Sequence, residues 1–224
     1  MNMKLNTVKE YYENGNLHFE YTKNEQGQKH GTYTHWYENG QLWSQTEYVN
    51  GMRHGTYQYW HNNGQLWEQS EYVNDKHHGT YQTWYKNGQL SEQCEYVNGN
   101  HHGTYQRWYE NGQLALQCEY VNGNRHGTYQ DWHKNGQLET QTEYLNGKQH
   151  GLRYHWEPDG SLSYIEQYDN DTLLAQVEYA YNTNKPNITT IYLFNTNIES
   201  TTFIANVITQ LNEEGCTFKI KHVR

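Results

Sequence analysis

A block of 24 residues recurs along most of this chain of 224 residues. The pair His-Gly returns at this step, and a tryptophan follows each histidine six residues later. A repeat of this length is typical of folds in which every unit packs on its neighbours. The repeated glycines and tryptophans that we predict to be structural are Gly55, Gly79, Gly103, Gly127, Trp36, Trp60, Trp84, Trp108, Trp132 and Trp156.

Each unit contains two turn signals, such as Asn111-Gly112 and Asn122-Gly123. The segments between them are short and rich in Tyr, Trp, Thr and Val, and Asn-Gly between such segments favours a β-hairpin. The sequence therefore predicts a mainly β fold, an elongated single-layer antiparallel β-meander of about six to seven hairpin repeats. A small α+β cap is expected at the C-terminal end.

The composition limits what can hold such a sheet together. Only 33% of the residues are apolar, but 16% are aromatic, so disorder and a thick aliphatic core are both disfavoured. Aromatic pairs contribute about 0.5–1.5 kcal/mol each beyond the area that they bury. We therefore expect stacked aromatic columns to replace a conventional core.

The length of the second turn decides which side chains share a face of the sheet. A three-residue loop at Lys134-Asn135-Gly136, with the glycine in a left-handed bulge, places Trp132 opposite Leu138. Extending this alternation, we predict one face with the Trp, Leu and Glu-Tyr tyrosine columns. Tyr129 and His133 are then expected on the other face.

Tyrosines of that second face are the best candidates for a partner-binding surface, because tyrosine offers a large, rigid contact with a polar tip. The alternative is that they serve only to stabilise a single-layer sheet. The candidates are Tyr57, Tyr81, Tyr85, Tyr105, Tyr109 and Tyr129.

Two segments carry a family resemblance. Residues 50–55 (NGMRHG) and 122–127 (NGNRHG) resemble the core of MORN repeats. The Tyr-x-x-Trp-x-x-Asn-Gly-Gln-Leu pattern that follows resembles the MORN-variant repeats of the YwqK-family antitoxins. The resemblance covers roughly residues 11–168 and implies a non-catalytic β-meander that acts as a scaffold or binding surface, with an antitoxin-like role as one form of it.

The composition changes near residue 182, which predicts a repeat array over residues 1–181 and a strand–helix–strand cap over 182–224. Residues 182–187 (NTNKPN) look like a linker. Ser200 is predicted as the N-cap of an amphipathic helix that ends at Gly215. A second strand is expected over Cys216–Val223.

Reaction chemistry is not indicated by the sequence. Equivalent histidines should lie about 10 Å apart, too far to share a metal ion, and the repeated glutamates form a flat ladder with no unique pair. Cys94 and Cys118 are likewise about 10 Å apart by this estimate, too far for a disulfide. We therefore expect no enzyme, no metal and no cofactor.

Charge and cysteine usage shape the expected partners and location. The net charge of -9 argues against nucleic acid and anionic membranes. Free thiols and the lack of a signal sequence favour the cytoplasm. The first hypothesis is a scaffold that binds a protein partner; the alternatives are a phosphoinositide-binding module of MORN type and a carbohydrate-binding aromatic array. The exposed faces also leave room for a homodimer.

Overall fold

The computed structural model describes residues 4–182, 185–194, 198–213 and 218–223, without the side chains at 180–189, 198–201 and 211. The chain forms two compact units, Met1–Gln113 and Leu114–Arg224. Strands of the first unit are β1 Asn6–Tyr11, β2 Leu17–Lys23, β3 Gly31–Trp36, β4 Leu42–Val49, β5 Met52–Trp60, β6 Leu66–Val73, β7 Lys76–Trp84, β8 Leu90–Val97 and β9 Asn100–Trp108. Each pairs antiparallel with the next, from β1 to β9.

The second unit continues the same pattern and ends in a helical segment. Its elements are β10 Leu114–Val121, β11 Asn124–Trp132, β12 Leu138–Leu145, β13 Lys148–Trp156, β14 Leu162–Asp169, β15 Thr172–Asn182, β16 Lys185–Leu193, α1 Ile198–Glu213 and β17 Ile220–His222. Strands β10 to β16 pair antiparallel in order, and β17 pairs parallel with β16. The predicted β-meander with a small helical cap is thus confirmed.

Two-residue turns connect one repeat to the next. Between β8 and β9, Asn98 and Gly99 both have positive φ, 53° and 86°, as a type I′ turn requires. The Gly99 N–H donates a hydrogen bond of 2.8 Å to the carbonyl of His77, one repeat earlier. These turns therefore link the repeats as well as reversing the chain.

The other turn of each repeat has the predicted bulged form. At 133–137, the N–H of His133 donates to the Gln137 carbonyl at 2.8 Å, and Gly136 has a φ of 85°. The Asn135 side chain accepts the Gln137 N–H at 3.0 Å. The three-residue loop expected from the sequence is confirmed.

A bulge next to this turn resets which side chains share a face. Trp132 lies opposite Leu138, as predicted, but the next pair is Asp131 with Thr140. Glu139 is therefore an extra residue on β12, and the alternation beyond it shifts by one position.

This shift makes the predicted separation of the two tyrosine columns wrong. Tyr129 pairs with Thr142, and its ring lies 5.9 Å from that of Tyr144, so both tyrosines share a face. We call this the tyrosine face; it carries Tyr129, Asp131, Thr140, Thr142, Tyr144 and their counterparts in other units. The opposite glutamine face carries Thr128, Gln130, Trp132, Gln141, Glu143 and their counterparts.

The glutamine face is regular in both units. Its side-chain amides bond across each hairpin, from Gln58 to Gln69 at 2.8 Å and from Gln130 to Gln141 at 2.9 Å. The repeated tryptophans lie at its edge, each half-buried: Trp36, Trp60, Trp84, Trp108, Trp132 and Trp156.

Glycine is needed after each repeated histidine because the backbone there has a positive φ. At some of these positions a Cβ atom would also collide with a neighbouring side chain. Gly79 has a φ of 83°, and a Cβ there would lie 2.5 Å from the Glu71 carboxylate. Gly55, Gly103 and Gly127 also have positive φ. These positions are disfavoured for residues with a Cβ.

The C-terminal segment supplies the most aliphatic core. Ala175, Val177 and Ile191 are fully buried beneath Ile204 and Val207 of α1. Val177 lies opposite Ile165, which in turn lies opposite Tyr154, so α1 covers the extension of the glutamine face.

Details of this segment differ from the sequence-based expectation. The helix begins at Ile198, two residues before the predicted N-cap Ser200. Residues 182 and 185–187 of the predicted linker belong to β15 and β16. Gly215 and Cys216 lie outside the described residues, and the last strand is short, Ile220–His222.

Candidate functional site: the tyrosine face

Comparison of the repeats with one another distinguishes the two faces. On the glutamine face, Thr, Gln and Trp recur at the same positions in successive units. On the tyrosine face, the position of Tyr59 is occupied by Thr83 and Arg107 in the next two units, and that of Trp67 by Ser91 and Ala115. The residues that recur in every unit are those that the turns and the strand pairing of the repeat require. The residues that vary are not fixed by the repeat and can differ from unit to unit.

Small buried side chains occupy equivalent positions on this face in each unit, namely Thr46, Ser70 and Cys94 in the first unit and Cys118 and Thr142 in the second; we call them the small column of that unit. Ser70 is fully buried, with Tyr57 and Tyr81 opposite it on the two neighbouring strands. The tyrosine rings thus close over the small column, and each remains half-buried.

Burial keeps these phenols protonated. It raises the pKa of Tyr57 to about 12, with the Glu68 carboxylate adding to the effect. The pKa of Tyr81 is raised by the same two causes, and that of Tyr129 by burial and Asp131. At neutral pH the tyrosines are neutral groups that can donate or accept hydrogen bonds.

A group of rings, half-buried except for the exposed Trp67, lies near the bulged turns of the first unit. This aromatic patch consists of His35, Trp43, Tyr59 and Trp67, with ring centroids 3.9, 5.7 and 5.0 Å apart in that order. Trp67 is 39% exposed although it is the largest of side chains. Burial, with a smaller effect from His18, lowers the pKa of His35 to about 4, so its ring is neutral at pH 7.

A second feature follows the side of the tyrosine face nearest the two-residue turns. We call it the basic row; it consists of Lys29, Arg53, His77 and His101, at equivalent positions of four units. The Arg53 guanidinium lies 4.0 Å from the Tyr72 ring centroid. The rings of His77 and Tyr96 stack at 4.9 Å, and His101 follows at 4.4 Å from Tyr96.

Charges on the tyrosine face of the second unit are partnered differently. Arg125 lies over Tyr129 at 5.0 Å and Tyr144 at 5.5 Å. Arg153 forms an ion pair with Glu166 at 3.4 Å. The Arg153 cation is therefore paired with a carboxylate on its own face, whereas the Arg53 cation of the basic row is paired with Asp75 in a two-residue turn.

The predicted partner-binding tyrosines fall into two structural groups. Tyr57, Tyr81 and Tyr105 lie on the tyrosine face of the first unit, and Tyr129 lies on that of the second. Tyr85 and Tyr109 follow the strand ends, and the Tyr85 hydroxyl donates to the carbonyl of Trp108 at 2.7 Å. Tyr85 therefore links repeats, while a role of any of the six in binding stays a prediction.

The described residues show no group of three or more His, Cys, Asp or Glu side chains that could hold a metal ion. The two cysteines described, Cys94 and Cys118, are free and buried. Burial raises the pKa of Cys94 to about 12, which disfavours a thiolate nucleophile there.

Sequence reasoning missed both the aromatic patch and the basic row. The signals were present: Trp follows the repeated Leu only in the units of Trp43 and Trp67, and a basic residue precedes the His-Gly pair in five successive units. Their significance depends on the bulge, which moves both sets onto one face.

Seven segments of the chain match the family described as MORN repeat variant, and together they cover more than half of its length. They are residues 4–22, 29–50, 53–74, 78–98, 102–122, 125–146 and 149–170. The chain belongs to the MORN repeat variant family. No curated protein matches this MORN-variant chain. No helix among the described residues has both the length and the hydrophobicity that a membrane-spanning helix needs.

Proposed function

We propose that this MORN-variant protein is a non-catalytic scaffold that binds a protein partner through its tyrosine face. The observation that carries this proposal is the concentration of unit-to-unit variation on that face, where the exposed Trp67 also lies. Trp, Tyr and Arg are the residues that most often dominate protein interfaces. Neutralising a toxin in the cytoplasm is the specific form of this function that the family resemblance suggests.

Geometry favours a macromolecular partner over a small substrate. Variable side chains lie on successive strands, about 10 Å from one repeat to the next, so the surface that they form is extended. Protein interfaces of ordinary size bury about 800 Å² on each partner and use some 20–30 residues, which one sheet face can provide.

The chain itself supplies substitutions for testing the proposal. Tyr59→Thr and Trp67→Ser introduce the residues that stand at the same positions in the next unit, Thr83 and Ser91, so the fold should tolerate them. Met52→Asn is the matched control, because Met52 is 40% exposed on the glutamine face and Asn100 occupies its position two units later.

The original protein and these variants are compared as baits for the capture of a protein partner from an extract of the native source. We expect the double variant Tyr59→Thr/Trp67→Ser to bind the captured partner about tenfold more weakly or less, while Met52→Asn captures as the original does. Equal capture by all three proteins contradicts the proposal. Specific flotation with phosphoinositide liposomes, or retention on a glycan array near neutral pH, would support a lipid or carbohydrate function instead.

A further inference from the structure

The aromatic patch and the carboxylates beside it indicate which chemical group of a protein partner fits the first unit; this inference rests on the proposed function. Tyr59 lies directly opposite Glu68, and its ring centroid is 5.0 Å from that of Trp67. The bulge in β6 therefore places the consecutive residues Trp67 and Glu68 together on the tyrosine face. An exposed indole and a carboxylate thus lie side by side.

A second carboxylate lies one repeat farther along the same face. Thr83 lies opposite Glu68 on one neighbouring strand and opposite Glu92 on the other, so the two carboxylates flank a small residue. The hydroxyl groups of Thr83 and Ser91 are 2.7 Å apart, and these two small residues stand where the preceding unit has two aromatic rings. The result is a notch beside the Trp67 ring. We call it the acidic notch; it is formed by Trp67, Glu68, Thr83, Ser91 and Glu92.

Both carboxylates of the acidic notch have acceptor capacity left for a partner. Each is half-buried, and a carboxylate has about four lone-pair sites. Glu68 uses one oxygen to accept the Ser70 hydroxyl at 3.3 Å, and Glu92 accepts the Tyr105 hydroxyl. Neither carboxylate forms an ion pair with a cation of the described residues, and Arg107, which lies opposite Glu92, is exposed.

The electrostatic environment of the acidic notch favours a cationic ligand. Burial, chiefly, raises the pKa of Glu68; Ser70 and Arg53 oppose this effect, and Glu92 adds to it. The charged carboxylate is therefore in an environment that a cation would improve. The net charge of -9 also attracts basic segments of a partner during their approach.

The combination of an indole with two carboxylates fits arginine better than lysine. Tryptophan is the best aromatic partner of a cation, and arginine is the more frequent cation in such contacts. Neighbouring strands are about 4.8 Å apart, so a side chain above Thr83 is within reach of carboxylates on both sides. The planar guanidinium has five N–H donors and can bind two carboxylates at once, whereas the lysine ammonium is a single point charge.

Comparison of the units shows that the repeat does not require these residues. The position of Glu68 and Glu92 is occupied by Ser44, Leu116 and Thr140 in other units. Tryptophan follows the repeated leucine only in the units of Trp43 and Trp67. The acidic residues thus occur at the place in the array where the aromatic patch ends.

We propose that Trp67, Glu68 and Glu92 bind an arginine side chain presented by a basic segment of the partner protein.

Three short labelled peptides test this with the full chain, by fluorescence anisotropy at pH 7 and about 0.15 M salt. The first repeats Gly-Ser-Arg, the second has the neutral and similarly shaped citrulline in place of each arginine, and the third has lysine. We expect the arginine peptide to bind at least about tenfold more tightly than the citrulline peptide and at least about threefold more tightly than the lysine peptide. Non-specific attraction to the acidic chain would give the arginine and lysine peptides the same affinity.

Two double variants test whether the carboxylates of the acidic notch are responsible. Glu68→Thr/Glu92→Thr introduces the residue found at Thr140 and should bind the arginine peptide at least about tenfold more weakly. The matched control Glu71→Gln/Glu95→Gln removes two exposed charges from the glutamine face of the same two strands, β6 and β8. It changes the net charge equally and should bind the peptide as the original does.

An NMR measurement locates the contact. The indole N–H signal that disappears in Trp67→Ser identifies Trp67, and this signal should shift when the arginine peptide is added to the original protein. The citrulline peptide, at the same concentration, should leave it in place.

Absence of binding, equal affinity for the arginine peptide and either of the others, equal loss in the two double variants, or an unmoved Trp67 signal would each overturn this inference. The proposed function is judged separately. If the arginine peptide fails to bind but Tyr59→Thr/Trp67→Ser still weakens capture of a partner, the tyrosine face binds that partner through other chemistry.

Discussion

A tyrosine in this chain has a different role at each of its positions in the repeat. Tyr57 covers the small column, whereas the Tyr85 hydroxyl donates to the backbone of the next repeat. Tyr72 binds His77 and supports Arg53. Residue type and period were readable from the sequence, but these roles depend on contacts between strands that periodicity alone does not define.

His35 is the residue for which the structure predicts the clearest pH dependence. Its ring lies 3.9 Å from Trp43, and its Nε2 is buried without a hydrogen-bond partner among the described residues. Its pKa of about 4 in the folded protein is below the ordinary 6.5, so folding favours the neutral ring. The free energy of unfolding should therefore fall by about 1–3 kcal/mol as the pH drops from 6.5 to 4.

Urea denaturation at several pH values measures this loss. The variant His35→Thr, which introduces the residue found at Thr83, should lose less stability than the original protein over the same pH range. An identical pH profile for the two proteins would show that His35 does not contribute.

At the scale of the hairpin, the sequence predicted much and failed at one point. Asn-Gly signals correctly indicated both turns of most repeats, although the turn between β6 and β7 is Asn74-Asp75, and burial correctly paired Trp132 with Leu138. The faces were assigned wrongly because the extra residue Glu139 shifts the alternation within a single strand. A one-residue shift moves every later side chain to the other face, so both the aromatic patch and the basic row were missed.

The two-residue turns predict a specific effect of substitution. Asn98 has a φ of 53° and is exposed, and left-handed backbone costs a residue such as alanine about 1–2 kcal/mol. Asn98→Ala should therefore lower the free energy of unfolding by about 1 kcal/mol, while Asn98→Gly stays within about 0.5 kcal/mol of the original. Asn100→Ala, at an exposed strand position two residues later, is the control and should change little; chemical denaturation compares all four proteins.

At the scale of the molecule, the period of 24 residues makes stability a sum over similar units. Among the residues that the structure describes, each strand in the first unit pairs with its neighbours in sequence and with no other strand, from β1 to β9. One repeat therefore contains the same turns and strand pairings as every other repeat. For this reason the fold class could be predicted from the sequence. The strand–helix–strand segment was predicted only in outline, because its core depends on residues that occur once, such as Ile191 and Ile204.

This arrangement predicts that the protein still folds when one whole repeat is deleted. Removing residues 78–101 joins His77 to His102, and the sequence after the junction is His-Gly-Thr-Tyr-Gln, as it was before. The shortened protein should keep the β-sheet circular dichroism spectrum and unfold in one transition. At about 0.05–0.15 kcal/mol per residue, it should be about 1–4 kcal/mol less stable, with a denaturant slope about one-tenth smaller. Removing only residues 78–89 is the control, because it deletes one strand and reverses the direction in which the next strand must pair. This control should not fold. If it is as stable as the 24-residue deletion, the repeat is not the structural unit.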